Sequence, residues 1–298
     1  MLLHLPHLGE ILALSCAIIW ATAVILFRKS GETVSPLGLN LFKNILALAL
    51  FVPTSLVLRV ELFTKAPLND YLLLATSGIL GIALSDTLFF KSLNLLGAEL
   101  SAIVDCLYSP FIIGLSVLFL RESMTGFQLL GVLLIISAVV AISGIEDRKN
   151  ISRHDLILGV LFGVLAMASM AVGIVMIKPL LNRSPLLWVV EVRLLAGCIG
   201  LGMYLLLHPR GKEIFGSILS VRNWQYMLPG SFLGAYLAMV IWMGGMKYTQ
   251  ASIASALNQT SNVFVFILAA VVLREPVNAI RITAIILAFA GAFIVSFG

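Results

Sequence analysis

The feature that most constrains this chain is a succession of long apolar windows separated by short polar links, running through all 298 residues. Reading between charges and turn residues places helices near 9–28, 36–58, 71–93, 99–120, 125–145, 156–178, 185–207, 224–246, 251–273 and 279–297. Each approaches the about 20 apolar residues that a helix needs to cross a bilayer. Ten such windows leave no stretch long enough for a soluble domain. Composition agrees: 60% of residues are hydrophobic and 11% charged, against about 45–50% and about 25% in soluble globular proteins. Disorder is excluded too, because its signature is low hydrophobicity. The expectation is an all-α membrane protein.

The net charge of +5 comes from 19 Lys and Arg spread over many loops with no basic run, so no nucleic-acid partner is expected. Cys16, Cys106 and Cys198 sit in separate apolar windows without paired spacing and say nothing about redox compartment. The first apolar window has no Lys or Arg before it, so no cleaved signal is expected. His4, His7, His154 and His208 fall at ends or loops without metal-ligand spacing. Neither a nucleophile–base set nor a phosphate loop stands out. The expectation is no enzyme, no cofactor and no metal.

An internal repeat organises the windows. Residues 81–145 slide onto 234–298 without a gap, pairing Gly81 with Gly234, Ala98 with Ala251, Phe111 with Phe264, and Arg121-Glu122 with Arg274-Glu275. Upstream, Lys29 and Ser35-Pro36 pair with Lys178 and Ser184-Pro185, and Asn44-Ile-Leu-Ala pairs with Arg193-Leu-Leu-Ala. The chain reads as a five-helix unit at 1–145, a charged linker at 146–155 and a second five-helix unit at 156–298. Five crossings are an odd number, so the second unit enters from the opposite side. Two inverted five-helix repeats around a central cavity are thus expected, with a binding site near the midplane and alternating access by rocking of the halves.

Several local motifs are familiar. Trp20-Ala-Thr-Ala-Val-Ile-Leu-Phe-Arg-Lys, Met246-Lys-Tyr-Thr-Gln-Ala-Ser-Ile-Ala-Ser-Ala-Leu and Leu273-Arg-Glu-Pro resemble the EamA-type branch of the drug/metabolite transporter superfamily. Ser92-Leu-Asn-Leu-Leu-Gly-Ala-Glu-Leu-Ser-Ala and Tyr108-Ser-Pro-Phe fit the same pattern in the first half, and the resemblance covers essentially the whole chain. It implies a ten-helix carrier of small metabolites, amino acids or drugs, often acting outward. Ala21 stands where the family often has Gly, Val263 stands where a Pro matching Pro110 is usual, and the family does not generally require charges such as Asp86 and Asp105.

Five charges interrupt the apolar windows: Lys43, Asp86, Asp105, Glu191 and Arg193. Each costs about 2.5–3.5 kcal/mol at a helix centre on the insertion scale, so each needs a partner or water. At 1.5 Å per residue, Lys43, Asp86 and Asp105 fall at one depth near one face. Glu191 and Arg193 fall near the other, with Asn258 and Gln259. Two readings stay open: a hydrated cavity whose charges bind substrate, relay protons at Asp86 and Asp105 or gate access, or fixed ion pairs that orient the bundle. Ser255, Asn258, Gln259 and Asn262 share one helix face, and Ser101, Asp105, Tyr108 and Ser109 repeat the stripe; both suit a cavity wall. Trp20 and Trp242 could cap it. Gly159 with Gly163, and Gly230 with Gly234, read as close helix packing.

The expected function is secondary active transport of a small solute by alternating access, directed to export. A proton or counter-substrate would drive it, since no adenine-nucleotide motif is present. The partners are that solute and membrane lipid, and the expected location is a bacterial cell (inner) membrane. The alternatives are a membrane enzyme acting on a lipid-linked substrate and a non-transporting helper subunit. Orientation is open: the Lys and Arg bias between the two faces puts the termini outside, whereas the resemblance more often implies cytoplasmic termini.

Overall fold

The computed structural model describes residues 7–59, 64–120, 125–143, 151–219, 224–249 and 251–297. The Arg121-Glu122 pair, Arg222 and the first half of the charged linker, with Arg148 and Lys149, lie outside the described residues. Long helices dominate, and no strand occurs among the described residues. They are α1 (Leu8–Ser30), α2 (Pro36–Val57), α3 (Leu68–Leu96), α4 (Ala98–Phe119), α5 (Gly126–Ser143), α6 (Arg153–Val175), α7 (Leu186–Leu207), α8 (Trp224–Tyr248), α9 (Ile253–Leu273) and α10 (Ala279–Phe297). Eight of these are long and apolar enough to cross a membrane; α5 and α10 contain only the shorter apolar stretches Leu129–Ala138 and Ala279–Ile294. Apolar side chains such as Ile18, Val57, Leu118, Leu133, Ile157 and Leu207 face outward, a surface suited to lipid rather than water.

Local chemistry sets the ends. Pro36 occupies the first helical turn of α2, and the Ser35 hydroxyl accepts from Gly38 N–H at 3.2 Å, a standard N-cap. Ser152 caps α6 through Asp155 N–H at 3.0 Å. Gly97, at φ 83°, makes the sharp joint between α3 and α4, a conformation that glycine adopts without steric cost.

The duplication recurs in the backbone irregularities. The π-helical segments Ile79–Leu84 in α3 and Phe232–Leu237 in α8 occupy equivalent positions in the register that pairs Gly81 with Gly234. Interruptions at Cys106–Leu107 in α4 and at Gln259 in α9 are equivalent as well. Single π turns inside α-helices often mark functional sites.

The first helix of each repeat packs into the other repeat: α1 lies against α8 and α9, and α6 against α3 and α4. Small residues permit this approach. A Cβ on Gly159 would sit 2.6 Å from Leu96, and one on Gly163 2.6 Å from Val104; on α8, Gly234 meets Phe27 at 2.7 Å. Helix α7 lies between α2 and α3, while α5 and α10 pack on each other, with Gly291 against Gly131 O. The exchange of first helices merges the repeats into one bundle around a central space.

Candidate functional site

That space is a cavity of about 110 Å³, somewhat smaller than the roughly 150 Å³ engineered cavity that binds benzene. Nine of the ten residues expected to contact substrate line it: Trp20, Lys43, Asp86, Asp105, Tyr108, Arg193, Asn258, Gln259 and Asn262. The two polar clusters, assigned to opposite depths, therefore share one chamber. The tenth, Glu191, points elsewhere; its Oε1 accepts from Ser55 on α2 at 2.5 Å, and its Oε2 has no partner. Glu191 and Arg193 stand two apart on α7, about 200° around a helix, so both cannot face the cavity.

On one wall, Lys43 Nζ donates to Asp86 Oδ2 at 2.6 Å and to Asn44 Oδ1 at 3.2 Å. Asn44 Nδ2 donates to Asn40 O at 2.8 Å and Asn40 Oδ1 at 2.7 Å. Asn40 Nδ2 in turn reaches Ile82 O at 2.9 Å, Ala83 O at 3.2 Å and Thr87 Oγ1 at 2.9 Å. The Ile82 and Ala83 carbonyls belong to the π segment, where irregular backbone at membrane depth needs such substitute partners. Ser169 Oγ serves Leu80 O there at 2.8 Å. The amides and the ion pair thus anchor α2 to α3.

The opposite wall is built around the break in α4. Pro110 has no N–H to offer Cys106 O, its i−4 carbonyl. Gln259 Nε2 reaches Asp105 O at 3.2 Å and Cys106 O at 3.4 Å. Asn262 Nδ2 donates to Cys106 Sγ at 3.3 Å and to Gln259 Oε1. These amides line the cavity and also replace lost helical bonds. The Ser101 and Ser109 hydroxyls are buried without partners among the described residues and do not line the cavity.

Aromatic rings close the sides. Trp20 lies 6.0 Å from Phe89 and Tyr108 6.5 Å from Trp242, centroid to centroid. Arg193, 1% exposed, directs Nη1 to Met243 Sδ at 3.2 Å. Arg193 Nε, Tyr108 Oη and Asn258 Oδ1 are buried without hydrogen-bond partners among the described residues. Native interiors seldom leave polar atoms unsatisfied, so these three offer hydrogen bonds to water or solute in the cavity. No group of three His, Cys, Asp or Glu able to hold a metal occurs among the described residues.

Sequence reading missed Cys16, Phe89, Met167, Met170 and Met239 as lining residues, since apolar side chains in apolar helices give no signal. It also assigned Glu99, Glu275 and Arg281 to helix ends and loops. In the fold Glu275 accepts from Ala98 N–H and Glu99 N–H, each at 2.9 Å, and Arg28 Nε lies 3.9 Å from it. Glu99, fully buried, pairs with Arg281 Nη1 at 2.6 Å. This network fastens α1 and α4 to the α9–α10 corner. The coincident Arg-Glu pairs were the available clue.

Long apolar helices around a buried, charged cavity define an integral multi-pass membrane protein of transporter type. The EamA-like transporter family model matches twice, over residues 7–144 and 157–297, and the chain belongs to that family. An uncharacterized transporter of Archaeoglobus fulgidus is 26% identical over 268 residues, covering 90% of each chain. Another, of Methanothermobacter thermautotrophicus, is 25% identical over 226 residues, 76% of this chain and 64% of that protein. A protein of known crystal structure superposes with a TM-score of 0.70 at 18% identity, covering 96% of this chain and 94% of the other, a likeness of fold.

Proposed function

We propose that this protein is a secondary active transporter that exports a small metabolite, amino acid or drug-like solute across a bacterial cell (inner) membrane. The observation that carries this reading is the convergence of nine polar or aromatic side chains from both repeats on one cavity. In the proposed architecture ten helices span the membrane as two inverted units, and the units rock about the cavity to expose it to each side in turn. The exchanged packing of α1 and α6 supports such rocking, because each unit carries part of the other's wall. Asp86 and Asp105 are the proposed proton-coupling groups, with exchange against a counter-substrate as the other source of drive. The absence of an adenine-nucleotide motif in the sequence supports a gradient over hydrolysis.

The test is flux in reconstituted vesicles over a panel of metabolite classes, with and without a proton gradient. Asp86→Asn and Asp105→Asn should lower flux at least tenfold while membrane expression persists. Flux that ignores both the substitutions and the gradient would remove the coupling role; no flux for any solute, with a stable partner complex, would favour a helper subunit.

A further inference from the structure

The cavity holds four charged residues, and they are not equally served. Lys43 and Asp86 satisfy each other at 2.6 Å. Arg193 has no carboxylate within ion-pair distance among the described residues. Its Nη1 hydrogen-bonds the sulfur of Met243 and its Nε has no hydrogen-bond partner among the described residues; a thioether is a weak acceptor, and Asp86, the carboxylate whose field reaches it, is hydrogen-bonded to Lys43. Yet the guanidinium stays charged at any accessible pH, and a buried charge is costly until an opposite charge reaches it.

The duplication shows what is absent. Arg193 and Asn44 are equivalent positions on α7 and α2. The position on α8 equivalent to Asp86 is Met239, in the register that pairs Gly81 with Gly234. The first repeat has an amide, Asn44, where the second has Arg193, and the second has Met239 where the first has Asp86, so the duplication supplies no carboxylate on α8 for the added cation. Gly81 makes room for the guanidinium itself, since a Cβ there would stand 3.1 Å from Arg193 Nη2.

We infer that Arg193 is the anion receptor of this cavity and that the occupant is a small organic monocarboxylate. The inference rests on the transporter reading for its purpose, not for its geometry. A planar carboxylate matches the guanidinium fork with two parallel hydrogen bonds. Lys43, Asp86, Arg193 and Asp105 together carry no net formal charge, so a monoanion leaves the cavity one charge out of balance, whereas a dianion such as a phosphate ester leaves it two out and faces Asp105 with both. The apolar part of the ligand lies against Trp20, Phe89 and Met239, and the volume limits the whole ligand to less than a benzene ring.

The test uses three planar, nearly isosteric probes smaller than a benzene ring: acetate, acetamide and acetamidinium, which are anionic, neutral and cationic. Equilibrium dialysis against the purified full-length protein in detergent, with empty micelles as blank, should show saturable acetate binding at least tenfold tighter than either of the others. Arg193→Gln should reduce acetate binding at least tenfold, and Arg193→Lys should restore part of it, which separates loss of charge from loss of fold. Equal binding of the three probes by the unaltered protein, no saturable acetate binding, or acetate binding unchanged in Arg193→Gln would overturn the inference. Vesicle flux separates the two readings. Acetate selectivity without flux of any solute would sink the transporter and keep the anion site, whereas flux without anion preference would sink the anion site alone.

Discussion

Lys43 Nζ and Asp86 Oδ2 lie 2.6 Å apart, joining α2 to α3 with both side chains buried. Removing one partner of such a pair strands the other, at about 3–5 kcal/mol, while replacing both with apolar residues of similar size is often neutral. Lys43→Met alone should therefore destabilise by about 3–5 kcal/mol, and Lys43→Met with Asp86→Leu should recover most of it. Thermal unfolding in detergent across the double-mutant cycle measures this; additive losses would deny the coupling.

Arg281 is the ion-pair partner of fully buried Glu99, while Glu275 makes backbone caps at the start of α4. Arg281→Met should cost about 3–5 kcal/mol because a buried carboxylate loses its cation. Glu275→Gln keeps one acceptor oxygen and should cost about 1–2 kcal/mol. The ranking is read from unfolding midpoints of the two variants; a larger loss for Glu275→Gln would refute it.

Gly78 sits where α3 and α7 touch, and a Cβ there would fall 2.2 Å from Arg193 O. Gly78→Ala must push the helices apart and should cost about 1–3 kcal/mol. Gly202, on α7, has nothing within 4 Å of an added Cβ, so Gly202→Ala should stabilise by about 0.5–1 kcal/mol through helix propensity alone. Comparing the two in one unfolding series controls for helix propensity.

Gln259 supplies donors to carbonyls exposed by the break in α4. Gln259→Leu should cost about 1–3 kcal/mol, the penalty of leaving such groups unmade. Pro110→Ala restores an N–H for Cys106 O, so Gln259→Leu should cost less in that background. Equal cost in both backgrounds would show that Gln259 does not compensate for Pro110.

Much of this was legible along the chain. Ser35-Pro36 and Ser152 announced helix starts, and the apolar windows fell within a few residues of the observed helices, because caps and hydrophobicity act locally. The repeat was legible through Arg274-Glu275 and Ser184-Pro185, although the π segments that confirm its register carry no residue signature. Helix rise assigned Lys43 and Arg193 to different depths, but it carries no information on helix tilt, on the breaks in α4 and α9, or on which helices cross. Those features bring both residues to one chamber.

The sequence by itself determined that the protein belongs in a membrane, that it is built as a duplicated helical unit, and which few residues carry charge into the apolar windows. Only the tertiary structure decided how those charges are shared. Lys43 is matched by Asp86, Arg193 is left facing an open cavity, Glu191 turns to Ser55, and Glu99 is drawn from a helix end into full burial against Arg281. The reason is physical: periodicity fixes the direction of a side chain about its own helix axis, while the partner it meets depends on a second helix, often from the other repeat. No local interaction encodes that crossing.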